Sequence, residues 1–167
     1  MNRQRMRGVY VVEFAIIGLL LFTLLFGVVE MGRLFFTVNG LDEVVRRGAR
    51  LAAVCDIRDT RILRRAIFND IGNGGASSLI ANLGTANLTL VYLDENGATV
   101  ANPADLTGVS GFSAIRYVQL RVDNFTFDLL IPGFRGVFTL PAFRSTIPRE
   151  SLGRHAETGV VPEITPC

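Results

Sequence analysis

Hydrophobic positions along the first third of the chain follow a helical spacing, but in two different ways. Residues 1–8 read Met-Asn-Arg-Gln-Arg-Met-Arg-Gly, short, basic and without an acid. Residues 9–12 are uncharged, Glu13 interrupts, and 14–29 is apolar apart from Thr23. As a helix, 9–29 is about 31 Å long at 1.5 Å per residue, which matches the ~30 Å hydrocarbon core of a bilayer. From Leu34 onward the apolar residues retreat to one stripe, with Leu34, Val38, Leu41, Val45 and Ala52 on one face. Asp42/Arg46 and Glu43/Arg47 are acid-before-base pairs at i,i+4 and mark the opposite face as exposed. The pattern predicts one long helix over 9–54, with Asn39-Gly40 as a bend point.

The period then shortens. A second helix is expected over 60–71, capped by Asp59 or Thr60, with Leu63, Ala66, Ile67 and Ile71 on its apolar face and Gly72 at its end. Residues 73–78 form a Gly/Ser-rich stretch that reads as a flexible turn, since no Lys-Ser/Thr follows to make a phosphate loop. Alternation takes over at 87–93, where Leu88, Leu90 and Tyr92 oppose Thr89, Val91 and Leu93. Asp94-Glu95-Asn96-Gly97 is a turn signal, and 98–101 returns as a second strand. Residues 114–127 give the strongest strand run, Ile115, Tyr117, Gln119 and Arg121 facing away from Arg116, Val118, Leu120 and Val122. A last strand over 137–147 is confined to an edge or a bulge by Pro141. The apolar Pro/Gly stretch 129–138 is suited to touching a membrane or a partner, and from Pro148 on, with Pro162 and Pro166, the chain reads as a loosely held tail. The fold class is therefore α+β: a leader over 1–8, a transmembrane helix over 9–32, and a domain over 33–167 in which the amphipathic half of the long helix packs on a small, mostly antiparallel sheet.

Composition sharpens this picture. The apolar share is 49% of 167 residues and the mean hydropathy is +0.37, above a typical soluble domain. All 17 basic residues are arginine, and 17 less Arg3, Arg5 and Arg7 leaves 14 against 15 acids. The body is thus near neutral and lacks the basic patch that nucleic-acid binding calls for. Arginines before the apolar run and none within it put the N-terminus in the cytoplasm and the rest outside. Glu30-Met31-Gly32-Arg33 offers no small-x-small signal-peptidase site, no cysteine follows for a lipid anchor, and no Arg-Arg pair precedes the run, so the helix is expected to stay.

Glu13 stands out, because a carboxylate in a membrane span costs about 2.5 to 3.5 kcal/mol on insertion scales. Two readings are open. Either it sits at the cytoplasmic interface and reaches the headgroups, or a cut between Gly8 and Val9 creates an α-amine, mostly cationic at neutral pH, that pairs with it within or between subunits.

The stretch Arg7-Gly8-Val9-Tyr10-Val11-Val12-Glu13-Phe14-Ala15 resembles the type IV prepilin cleavage motif. Together with the blocks from Phe26 to Arg33 and from Arg47 to Val54, it is similar to the TadE-like family, minor pseudopilins of the tight-adherence (Tad, Flp) pilus. Major pilins of that system usually carry Tyr after the Glu; Phe14 stands there, which suits a minor pseudopilin. The resemblance implies a pilin-like lollipop build, cleavage by a prepilin peptidase, and partners among other pilins and pseudopilins. It also implies a single-pass place in the bacterial inner membrane with a periplasmic domain, with incorporation into the extracellular pilus as an option. A general-secretion pseudopilin, or a tethered extracytoplasmic binding domain, are the alternatives.

Candidate chemistry is sparse, and no enzyme, cofactor or metal site is expected. His155 has no nucleophile motif near it, Asp123 and Asp128 flank a strand end as solvated or Arg-paired acids, and Asn87-Leu88-Thr89 and Asn124-Phe125-Thr126 are glycosylation sequons of little meaning in a bacterium. Cys55 and Cys167 are too far apart in sequence for a metal motif. Outside the cytoplasm, where disulfides persist, they are expected to bridge and tie the tail to the helix; the alternative is two free thiols, Cys55 buried and Cys167 dangling or linking two subunits.

Overall fold

The computed structural model describes residues 3–69, 74–131, 136–155, 161, 163–164 and 167, and for 3–7 the backbone only. The helical signal becomes a single helix, α1 (Arg3–Val54), continuous through Asn39-Gly40. There follow α2 (Arg61–Ala66), β1 (Leu88–Leu93), β2 (Tyr117–Val122), β3 (Thr126–Asp128), β4 (Val137–Thr139) and β5 (Phe143–Pro148). The residues group into two compact units, Met1–Phe36 with Phe127–Phe138, and Thr37–Thr126 with Thr139–Cys167.

In the second unit β2 lies between β1 and β5 in an antiparallel sheet. Leu90 is opposite Leu120 and Tyr92 opposite Val118, while Val122 faces Phe143 and Val118 faces Ile147. This register puts the predicted apolar alternation on one face, where Val118, Leu120 and Val122 are fully buried. Leu41, Val44, Val45 and Ala49 of α1 pack there with Leu120 and Val122, and Ala52, Ala53 and Cys55 continue the contact toward Tyr92, Ile115 and Val118. On the opposite face Gln119 donates to Thr146 Oγ1 at 2.7 Å.

Several expected elements differ, each for a local reason. The 114–127 run is split into β2 and β3 at Asn124, whose φ of 54° belongs to the left-handed region that Asn tolerates better than most residues. Ile115, grouped by alternation with Tyr117, Gln119 and Arg121, precedes the strand and is buried. The 98–101 strand shrinks to a bridge between Leu93 and Thr99. The turn before it forms as expected, with Gly97 at φ 78° and the Asp94 carboxylate accepting from the Ala98 N–H at 2.8 Å, but Pro103 soon restricts the chain. The 137–147 strand is broken around Pro141 into β4 and the edge strand β5.

Asp59, not Thr60, starts α2, accepting the Arg61 N–H at 2.9 Å, whereas Thr60 makes no capping bond. The helix stops at Ala66, followed by Phe68 at φ 59°; the predicted end at Ile71 and Gly72 lies outside the described residues. Within the 73–78 stretch Asn73 is also outside them, and the rest is tied down. Ser77 and Ser78 donate their hydroxyls to the Ile67 and Phe68 carbonyls, each at 2.7 Å. The expected i,i+4 ion pairs give way to Arg46–Glu43 at i,i+3 and 2.9 Å, while the Arg47 guanidinium lies 5.3 Å over the Phe68 ring.

Residues 149–154 are not a loose tail. The last carbonyls of a helix lack partners within it, and here Leu152 N–H donates to Ala53 C=O at 3.0 Å and Gly153 N–H to Val54 C=O at 2.6 Å. Leu152 is fully buried. Gly153, at φ 75°, approaches Asp56 so closely that a Cβ would sit 2.7 Å from its Cα. Pro162 and Pro166 lie outside the described residues.

Candidate functional site in the amino-terminal helix

Between Val9 and Phe36 α1 exposes nearly every large apolar side chain it has, Phe14 at 77% and Leu19 at 68% among them. It is a helix long and apolar enough to cross a membrane, and none of its most apolar window is buried. A continuous apolar surface of this size signals a lipid or protein surround rather than water. Thr23, the polar residue of the run, donates its hydroxyl to Leu19 C=O at 2.7 Å, so it needs no water. Gly8, Val9 and Glu13 stand on this helix, exposed. A Cβ on Gly8 would meet nothing within 4 Å, so the fold does not require glycine there. The backbone of Arg3, Arg5 and Arg7 is helical, and their side chains lie outside what is described.

At the end of the apolar run sits a polar cluster. Arg33 Nη1 donates to both Glu30 carboxylate oxygens, at 2.7 and 2.8 Å, with Glu30 only 7% exposed. Arg33 Nη2 also donates to Asp128 C=O at 3.2 Å, its guanidinium lies 4.8 Å over the Phe127 ring, and the Leu130 N–H donates to Glu30 Oε1 at 3.3 Å. In the sequence Glu30-Met31-Gly32-Arg33 reads as a missing cleavage site and as part of a block of the family resemblance, not as an ion pair. The acid and base at i,i+3 were the available signal; the partner segment, a hundred residues on, left none.

In the second unit the Arg47-Gly48-Ala49-Arg50 stretch has a packing role. A Cβ on Gly48 would lie 2.8 Å from Ala66 Cβ and run into Leu120. Just beyond, Cys55 and Cys167 form a disulfide with Cα atoms 5.5 Å apart, within the usual span. Asp59 reinforces it, accepting the Cys167 N–H at 3.1 Å and pairing with Arg61 at 2.7 Å. Hydrogen bonding from the Arg61 side chain, with the Arg61 and Cys167 N–H groups, holds the Asp59 carboxyl well below the usual carboxylate range despite burial.

Residues 8–50 match the family of TadE-like proteins. No curated protein and no solved structure matches the chain. The TadE-like segment opens on Gly8, takes in Glu13 and the Glu30–Arg33 pair, and closes within the face that packs on β2. The remaining candidates stay dispersed. His155 is exposed, and Asp123 pairs with Arg121 at 3.1 Å. Among the described residues no group of three or more His, Cys, Asp or Glu converges as a metal site would require.

Proposed function

We propose that this chain is a minor pseudopilin-like structural subunit of a Tad (Flp) type IV pilus, acting in pilus biogenesis, initiation or incorporation at the tip or in the filament. Its role is assembly, not catalysis. The basic leader lies on the cytoplasmic side, where prepilin peptidase cuts between Gly8 and Val9; α1 then anchors the mature chain in the bacterial inner membrane, with its folded part in the periplasm. The observation that carries this reading is the TadE-like match beginning at Gly8, on a helix whose fold leaves that glycine unconstrained. A glycine that packing does not demand is well suited to the demand of a peptidase for a residue without a side chain beside the scissile bond.

Cleavage would also change the standing of Glu13. In the precursor it is an acid in mid-helix; in the mature chain it is the fifth residue, near the positive end of the helix dipole and one turn from the new amine of Val9. The amine, of the same or a neighbouring subunit, becomes its partner. Mass spectrometry of the membrane-extracted protein, from cells with an active peptidase, should find Val9 at the N-terminus and an intact precursor for Gly8→Leu. Glu13→Ala should be cut normally yet fail to co-purify with its pilin partners. Retention of residues 1–8 in the wild-type protein would leave a plain tethered domain as the reading.

A further inference from the structure

Within the first unit, the segment beginning at Phe127 follows α1 back toward its apolar run. Phe127 lies under Arg33, and three residues later the Leu130 N–H reaches Glu30, so the strand runs toward the N-terminal end of the helix. It arrives at the level where the apolar span ends. Its return is closed by the Leu129 N–H donating to Gly136 C=O at 2.9 Å and by the pairing of β3 with β4.

The side chains presented there are apolar and uncovered: Leu130 is 68% exposed, Val137 65% and Phe138 54%. Among the described residues, several polar groups beside them are matched. Glu30 and Arg33 neutralise each other, and the N–H groups of Leu129 and Leu130 and the carbonyls of Asp128 and Gly136 all have partners. Backbone satisfied in this way can leave water at small cost, and aliphatic and aromatic side chains beside a span are the composition that settles at the headgroup–acyl boundary.

We propose that Leu130, Val137 and Phe138 insert into the interfacial layer of the bilayer that α1 crosses, giving the protein a second, non-spanning membrane contact. The proposal rests on α1 spanning a bilayer. The lipid surface, rather than a neighbouring subunit, is favoured because the patch continues the lipid-exposed surface of α1 at the depth where that surface ends.

The chain contains no tryptophan, so a single introduced one reports its own surroundings. The test uses full-length Phe138→Trp in phosphatidylethanolamine/phosphatidylglycerol vesicles carrying lipids brominated either near the headgroup or deep in the chains. The emission should be blue-shifted, insensitive to aqueous iodide, and reduced by about half by the shallow bromines, more than by the deep ones, as a side chain ~5–10 Å into the boundary requires. Leu130→Trp, measured in parallel, keeps the test standing if Phe138→Trp does not fold. Red-shifted, iodide-quenched emission overturns the proposal, and so does a blue shift without bromolipid quenching, the signature of a protein partner. Phe22→Trp separates the premise from the proposal: it should be quenched most by the deep bromines, and if it is not, the spanning reading itself fails.

Discussion

The two stretches of α1 on either side of Phe36 are made of similar residues and do opposite things with them. Before it, Leu, Val, Ile and Phe point outward all round the helix, with Leu19, Leu20, Val28 and Val29 each more than half exposed. After it, Leu41, Val44, Val45, Ala49, Ala52 and Ala53 have no exposure, and arginines take the other face. Glycine divides the same way. Added Cβ atoms at Gly8, Gly18, Gly27 and Gly32 meet nothing within 4 Å, while at Gly40 and Gly48 they meet Ile80, Leu120 and Ala66. Helical hydrogen bonding is common to both stretches; the surroundings that stabilise them are not. One needs an apolar medium supplied from outside the chain, and the other is covered by a sheet and a disulfide of its own.

The largest effect that would separate the two regions is loss of the Cys55–Cys167 bridge, whose ends are 112 residues apart. In the chain-entropy picture a loop of ~100 residues is worth about 4.7 kcal/mol, less any strain in the folded state. The Cys55→Ser/Cys167→Ser variant should therefore melt on the order of 15 °C lower in the second region, while the apolar stretch stays helical and binds vesicles as the wild type does. Circular dichroism in detergent, with flotation of the same variant on vesicles, checks both halves. An unchanged melting midpoint would mean that the main-chain bonds of Leu152 and Gly153 to the end of α1 hold that end unaided.

What the sequence disclosed follows the same division. The long helix, the cores of β1 and β2 and the candidate span were readable because each is a local period, of 3.6 or of 2, sustained over enough residues. The Cys55–Cys167 bridge was also legible, because the chain has two cysteines and both fall on the side expected to be oxidising, although spaced thiols alone are compatible with free groups as well. The Glu30–Arg33 cluster and the closure of α1 by residues 150–153 each depend on segments about a hundred residues apart, and the β3–β4 hairpin, though local, is built of very short strands. Their local signals are a single i,i+3 charge pair, three-residue strands and one Gly. The break at Asn124 had a cue in the tolerance of Asn for positive φ, but β-branched and aromatic neighbours outweighed it.

A smaller effect tests the packing side of the comparison through one change made in both regions. Replacing Gly by Ala inside a helix favours the helix by about 1 kcal/mol. At Gly27 nothing opposes that gain, and stability should stay within about 0.5 kcal/mol of wild type or rise. At Gly48 the new methyl group meets Leu120 and Ala66, and overpacking of a close-fitted core costs about 1–3 kcal/mol. Gly48→Ala should therefore lower the denaturant midpoint of the second region by a net of about 1 kcal/mol, the opposite sign to the usual helix substitution. Equal behaviour at the two sites would show that Leu120 moves aside freely, and that small residues on this face are not what lets α1 approach β2.

The smallest effect is a pH dependence confined to the disulfide end of the second region. Asp59, with a side chain only 8% exposed, is paired with Arg61 at 30% exposure. Its carboxyl is held well below its ordinary range, chiefly by the hydrogen bonds from the Arg61 side chain, then by the N–H groups of Arg61 and Cys167. An unfolded Asp titrates near 3.9, so the folded state favours the charged form. The resulting stabilisation is fully present above about pH 5 and is lost as pH falls through 4 toward the folded value. Asp105 is also lowered, by the N–H and hydroxyl of Thr107, but it lies at the surface, where solvent screens such contributions. Chemical unfolding from pH 7 to pH 2 should therefore show a declining acid limb that Asp59→Asn flattens and Asp105→Asn leaves nearly as steep. Because Asp59 also holds the Cys167 N–H, Asp59→Asn should speed reduction of the Cys55–Cys167 bridge by a mild thiol at neutral pH. An acid limb equally steep in Asp59→Asn, with no faster reduction, would remove Asp59 from the set of contacts that fasten this end of the chain.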